Sequence, residues 1–299
     1  MSEAPACRAP SFPIIDIKSC GVGDVVVVCW ILNSAKSTGH HLLMNPRVNS
    51  AIPAILGIGP EHITHAEGDN WTETRGIGLR YEYGLCDARR GRRFDYWCES
   101  LGLPGLKPVR PSYVETEEDG AWAEEEWNKV AEKGKRRAVL FPQAAWSIRA
   151  WPLSYYIDLS NILTRRGYVV AVLGNDVQVV NKLPQRYWSG FSLGRVAALT
   201  KRADLVIGND SGPVHLAGTL GVKTFALCGP SDGWVVFGHD SFVIPIALRR
   251  KELECTGCHF SSKRGWRPAC DHGCQALMRL TPNEVYDEIE AHERGVTST

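Results

Sequence analysis

No stretch of this chain approaches the ~20 consecutive apolar residues that a membrane-spanning helix requires, which excludes a helical span from the reading. Charge of one sign is missing as well. The 34 lysines and arginines against 33 aspartates and glutamates leave a formal net charge of +1. There is therefore no basic field of the kind that gathers nucleic acid nonspecifically. The first residues lack a basic segment followed by an apolar core, so a secretory signal is not expected. Ten cysteines without an export signal point to a reducing compartment, and to thiols or metal ligands before disulfides. Cytoplasm is the expected location. At 299 residues the chain reaches the upper end of what one core usually supports, ~250–300 residues, and two domains are expected.

What the chain has is an alternation of short apolar runs with helical stretches. In the second half 138–141, 169–173, 205–207 and 223–228 read as buried strands, with helices predicted over 153–166, 193–202 and 213–220. The first half is less regular. Strands are expected at 14–17, 41–44 and 63–66, and helices at 25–34, 49–56 and 94–101. The segment 67–93 has little pattern, 102–111 is rich in Gly and Pro turns, and 117–132 reads as a charged, exposed helix. The basic linker 133–137 divides the chain into domains 1–134 and 135–299. The fold class is α/β, and strands of this kind with crossover helices bind ligands at their carboxyl edge.

The most informative segment is 203–217. A buried strand runs into Asn209, Asp210, Ser211 and Gly212, and Pro213 follows, suited to a first helical turn because its missing N–H is not needed there. Free backbone N–H groups and a positive dipole end then face whatever lies above the sheet, which favours a phosphate. Asp210 or Ser211 capping the helix would use the same residues. Arg149, Asn175 with Asp176, and Gly229-Pro230-Ser231 also fall at strand ends of this half, so four polar loops share one edge. Asn175 and Asp176 suit ribose hydroxyls as well as a plain turn.

The string NDSGPVHLAGTLGV over 209–222, followed by ALCGPSD over 226–232, closely resembles the sugar-nucleotide signature of glycosyltransferase family nine, the ADP-heptose–lipopolysaccharide heptosyltransferase family. Asp210-Ser211-Gly212, His215 and Gly229-Pro230-Ser231 occupy its positions. A second resemblance spans 141–152, where Ser147 and Arg149 precede Trp151-Pro152. The family's basic side chain at that place contacts the donor diphosphate, and a guanidinium suits the charge that grows on such a leaving group. A third is Gly21-Val22-Gly23-Asp24, like the family's Gly-Asp turn whose Asp is the proposed base. The resemblance implies a GT-B arrangement, two Rossmann-like domains facing across a cleft. The acceptor would bind the first domain and the nucleotide-diphosphate-sugar, an ADP-sugar by preference, the second. Asp24 would be the catalytic base, though its position also suits a helix cap. Donor contacts fall on Ser147, Arg149, Asn175, Asp176, Asn209, Asp210, Ser211, Gly212, Pro213, His215, Gly229, Pro230 and Ser231. For His215 a phosphate contact and packing under the loop remain equal readings. The resemblance is thin over 39–132, where acceptor choice would be written, and the last helix, 282–294, is expected to return toward the first domain.

Cys255 and Cys258, then Cys270 and Cys274, form two close thiol pairs in a Gly- and Arg-containing loop, 255–274. Such pairs can each clamp one edge of a metal tetrahedron, so a structural zinc or iron is expected ahead of free thiols or a disulfide. His259 and His272 are substitute ligands. No catalytic metal is expected. The reading is thus an inverting transferase that moves a heptose or related sugar to a glycan or other hydroxyl acceptor. A noncatalytic nucleotide-sugar binder and a GT-B epimerase are the alternatives. A nucleic-acid acceptor contacted by Arg89, Arg90, Arg92 and Arg93 is less favoured than a solvated run of charge.

Overall fold

The structure, a computed structural model, describes residues 14–16, 21–45, 50–63, 91–130, 134–174, 186–188, 190–248, 255–258 and 273–295. Asn175, Asp176, Cys270, His259, His272 and most of 67–93 lie outside them.

The first half pairs β1 (Ile14–Asp16) in parallel with β2 (Leu43–Asn45). The crossover between them is α1 (Val22–Ser37), whose residues Val25 to Leu32 are all buried. A helix apolar on every side has to be surrounded by protein, and that burial overrides the weak helix propensity of its four consecutive valines. Gly39 ends it at φ +80°, a left-handed conformation suited to glycine. Then follow α2 (Ala51–Ile55), α3 (Arg93–Ser100) and α4 (Glu117–Asn128). Thr116 caps α4 by accepting from the Asp119 N–H at 3.1 Å.

The second half is one six-stranded parallel sheet. Its strands are β3 (Arg136–Phe141), β4 (Tyr168–Leu173), β5 (Arg186–Trp188), β6 (Leu205–Asn209), β7 (Thr224–Leu227) and β8 (Val243–Ile246). They lie in the order β5-β4-β3-β6-β7-β8. That is the doubly wound order, with its switch point between β3 and β6, where a crevice opens at the strand ends. Pro245 is tolerated in β8 because β8 is an edge strand. The helices are α5 (Leu153–Arg165), α6 (Leu193–Lys201), α7 (Gly212–Thr219), α8 (Gly233–Phe237), α9 (Gln275–Arg279) and α10 (Pro282–Glu293).

Alternate residues of each strand enter opposite cores. Ala138, Leu140, Val170, Val172, Leu205 and Ile207 meet α5 and α10 on one face. Val139, Phe141, Ala171, Leu173 and Val206 join α1, α6 and α7 on the other, in a core shared by both halves.

Two expectations change here. The 117–132 segment is not an exposed helix: α4 buries Ala123 and Trp127 against α6, and the Trp127 indole donates to the Leu199 carbonyl at 3.0 Å. Its charged face is ordered too, with Arg202 bonded to Glu124 and Arg195 to Glu118. The final helix lies on α5 in place of the expected return toward the first half; Glu293 holds Arg136 and accepts from the Tyr168 hydroxyl at 3.2 Å.

Helices α1 and α7 touch where a glycine of each faces a side chain of the other. A Cβ on Gly212 would lie 2.3 Å from the Val22 Cβ. Gly212→Ala is expected to lower stability by ~1–3 kcal/mol through overpacking, read as a lowered urea midpoint. Gly91→Ala, where an added Cβ meets nothing within 4 Å, serves as control. Equal midpoints would show that the helices do not meet at this point.

Candidate active site

The ends of β3, β6 and β7 converge on Asn209 and Asp210. The buried Asn209 amide is committed to the protein. Its Oδ1 accepts from the Trp151 N–H at 2.9 Å and the Tyr156 hydroxyl at 3.1 Å, while Nδ2 donates to the Pro142 carbonyl at 2.8 Å. Asn209 thus fixes the loop that carries Ser147 and Arg149, a positioning task where a donor contact was expected. Asp210, 4% exposed, is the hub. Its Oδ2 accepts from the Ser231 hydroxyl and stands 3.3 Å from Arg149 Nη1; its Oδ1 is 4.0 Å from His215 Nε2. One carboxylate therefore ties together loops from three strands, with the His215 ring of α7 beside it.

Arg149 lies over the Trp146 ring, 4.5 Å from its centroid, which fixes the guanidinium plane. Ser211 occupies the cap position of α7, yet its hydroxyl makes no cap bond; Ser211 Oγ is buried and has no hydrogen-bond partner among the described residues. With Gly212 and Pro213 it forms a helix start of the kind an oxyanion occupies. Asp232 caps α8 through the Trp234 and Val235 N–H groups. Gly229 and Pro230 are buried beside it. A Cβ on Gly229 would meet Leu277 at 2.5 Å and Cys274 Sγ at 2.7 Å, so the loop admits only glycine there.

Asp24, from the other half, reaches the same place. It is the third residue of α1, and its Oδ2 accepts from the Gly21 N–H at 3.2 Å. Its Oδ1 accepts from Arg93 Nη1 at 2.9 Å, and Arg93 Nη2 lies 3.3 Å from His215 Nε2. A guanidinium has only donors, so His215 accepts through an unprotonated Nε2. The electrostatics agree: burial first, then Arg93, His239 and Arg149, hold the His215 pKa well below its ordinary value. A neutral imidazole accepting from Arg93 has no Nε2 proton for a phosphate. The close approach is again made by glycine, since a Cβ on Gly23 would sit 2.5 Å from the His215 ring.

Arg93 is not among the catalytic or donor residues expected from the sequence, where the 89–93 run reads as solvated charge ahead of a nucleic-acid contact. It is 5% exposed. The signal lay in the helix period: Phe94, Trp97 and Cys98 mark the inward face of α3, and Arg93 lies one turn before Trp97 on that face.

Of the four cysteines, Cys255 and Cys258 form a turn whose Gly257 N–H donates to the Gly229 carbonyl at 2.8 Å, and Cys274 packs on the same glycine. No group of three or more His, Cys, Asp or Glu side chains is placed to hold a metal among the described residues. None of the helices is long and apolar enough to cross a membrane among those residues.

Comparison with known proteins agrees with the motifs. The model of glycosyltransferase family 9 (heptosyltransferase) matches residues 99–236, which bears out the resemblance. Lipopolysaccharide heptosyltransferase 2 of Escherichia coli (strain K12) is 24% identical over 156 residues, 48% of this chain and 42% of that protein. The chain thus matches less than half the length of that curated relative. Among solved structures, E. coli ADP-heptose lps heptosyltransferase II aligns over 94% of this chain and 98% of its own, with 16% identity and TM-score 0.59. The bacterial iron-containing dodecameric glycosyltransferase TibC, from enterotoxigenic E. coli H10407, aligns over 94% and 78%, with 16% identity and TM-score 0.68. These likenesses show the fold, an α/β GT-B arrangement of two Rossmann-like units.

Burial makes the fold sensitive to acid. The His239 pKa is pushed down to about 3, by desolvation and then Arg93 and Arg92, and His215 is lowered as well. Both stay neutral in the fold while the unfolded chain binds protons below pH ~6.5, so their contribution is complete above that pH and is lost as pH falls. Asp240 acts oppositely between its unfolded value and about 6, because burial raises it. His239→Phe is expected to flatten the fall in stability between pH 6.5 and 4 by up to ~1.4 kcal/mol per pH unit. Urea midpoints across that range measure it. A slope equal to that of the unaltered protein would mean that His239 titrates normally in the fold.

Proposed function

We propose that this protein is a glycosyltransferase that moves a sugar from a nucleotide-diphosphate-sugar to an acceptor hydroxyl. The observation that carries the reading is the meeting of Asp24 with the Arg149, Asp210 and Ser231 loops across α1 and α7. The solved structure named for ADP-heptose supports an ADP-heptose-like donor. The first half, 1–134, takes the acceptor, and the second, 135–299, takes the donor.

In this reading Asp24 is the general base. Arg93 and the Gly21 N–H each engage one of its oxygens and hold the carboxylate in place. The carboxylate takes the proton of the acceptor O–H. As the acceptor oxygen attacks the anomeric carbon, the bond to the diphosphate breaks and its electrons pass to the leaving oxygen. A single displacement inverts the anomeric centre without a covalent sugar–enzyme intermediate. Arg149 is held by Asp210 and the Trp146 face, and its guanidinium suits the two-oxygen contact a diphosphate offers. Ser211 Oγ and the backbone N–H groups at Gly212 supply the remaining donors. Protein groups carry the leaving-group charge, and no catalytic metal is needed.

Cys255, Cys258, Cys270 and Cys274 would hold a zinc or iron ion with a structural role. The three described cysteines lie on the turn and helix start that pack on Gly229, and thiolates are the ligands such ions favour. A metal bound there would brace the Gly229-Pro230-Ser231 loop.

Two measurements test the reading. Asp24→Asn keeps the shape and much of the capping ability, so the variant should fold. Release of nucleotide in the presence of acceptor should fall by roughly 10²–10⁴. Donor affinity by calorimetry should hold, whereas Arg149→Ala should lose about 1.5–3 kcal/mol of it. Near-normal turnover in folded Asp24→Asn would send the base elsewhere. Nucleotide release that ignores every hydroxyl acceptor would favour the epimerase. Elemental analysis of the purified protein should find about one zinc or iron per chain; neither metal, with all four thiols titratable, would rule the metal site out.

A further inference from the structure

On the opposite edge of the large sheet, a cavity of about 400 Å³ is lined by Trp30, Pro108 and Arg110 from the first half and His239, Ser241 and Phe242 from the second. Residues 238–242 precede β8, and Gly221, which touches Arg110, precedes β7. The cavity therefore lies at the amino edge, away from the strand ends that carry Arg149 and Asp210. Its polar groups are matched to one kind of ligand. Arg110 stacks on Phe242 at 4.5 Å, and the nearby Asp240 carboxylate feels its charge without forming a close ion pair among the described residues. His239 is 5% exposed, and its Nδ1 has no hydrogen-bond partner among those residues. The Trp30 indole N–H is already given to the Thr219 hydroxyl at 2.8 Å. Asp240 is adjacent but does not line the space: its Oδ1 accepts from the Phe242 N–H at 2.9 Å and its carboxylate packs on Gly218.

What remains for a ligand is a guanidinium fork, the accessible edge of the His239 ring and the Ser241 hydroxyl. A neutral imidazole donates through the nitrogen that carries its proton and a hydroxyl through its O–H, so the three can all offer N–H or O–H to one acceptor. Such a set fits an oxyanion, and the fork favours its bidentate form.

We propose that this seam binds a small oxyanion, a carboxylate or a phosphate ester on a compact polar body, held between the two halves by Arg110, His239 and Ser241. The site is separate from the donor loops and does not depend on the catalytic reading. Because the lining is shared equally between the halves, the ligand acts as a clasp, and any ligand that binds only the folded chain raises its melting temperature.

The test is calorimetry and thermal melting of the full chain with inorganic phosphate, glucose 6-phosphate, glucuronate and, as a neutral control, glucose. At least one oxyanion should bind saturably and raise the melting temperature, with no effect of glucose. The phosphate and glucuronate arms decide between the two oxyanion classes. Arg110→Gln and His239→Phe should each weaken binding at least tenfold, with Arg110→Lys intermediate. Absence of binding by all three oxyanions overturns the proposal. So does binding that both Arg110→Gln and His239→Phe leave at full strength.

Discussion

The candidate site exists because two helix starts are pressed together with almost nothing between them. At Gly23 and Gly212 the backbones of α1 and α7 come close enough that a single methyl group would intrude on His215 or Val22. Both amino ends therefore open at the same place, and their unpaired N–H groups and dipoles add up to a concentration of positive potential. Asp24 and Asp210 stand in that potential and are the groups that balance it. Moving either helix by one residue's width would separate the carboxylate of one half from the loops of the other.

The charges here are arranged as a closed set. Two ion pairs, Asp24 with Arg93 and Asp210 with Arg149, flank the neutral His215, which accepts from Arg93. Buried ions are tolerable only where each finds a partner and a hydrogen bond. The four charges sum to zero, and the helix start at Ser211 adds a buried hydroxyl with no hydrogen-bond partner among the described residues. Asn209 belongs to the scaffold of this set, since it fixes the turn that brings Arg149 over Asp210.

Much of the second half was legible because parallel strands buried on both faces are written as short apolar runs, and the loops after them as Asp-Ser-Gly and Gly-Pro-Ser. Four of its strands and the helices between them follow that pattern. The strand β8 escaped because Pro245 interrupts it, and β5 because three residues show no period. Helix α4 misled for another reason: its many acids are typical of a solvated helix, yet Arg195 and Arg202 from the sequence-distant α6 region neutralise them. Arg93 shows the same limit at the site. A cation in a run of arginines looks exposed until its partner, Asp24, is brought alongside from 69 residues away. Pairing over such separations leaves no local trace.

The thoroughly apolar α1 has a consequence for how the chain comes to fold. Its tryptophan, Trp30, finds its hydrogen-bond partner Thr219 only 189 residues later. At synthesis rates of ~5–20 residues per second, the helix leaves the ribosome roughly 10–40 s before that partner exists. During this interval a segment that is apolar on every side has no cover from the second half. Contacts of such long range also slow folding itself. The newborn first half is thus an aggregation hazard and a natural client for chaperones, until the last strands of the large sheet arrive.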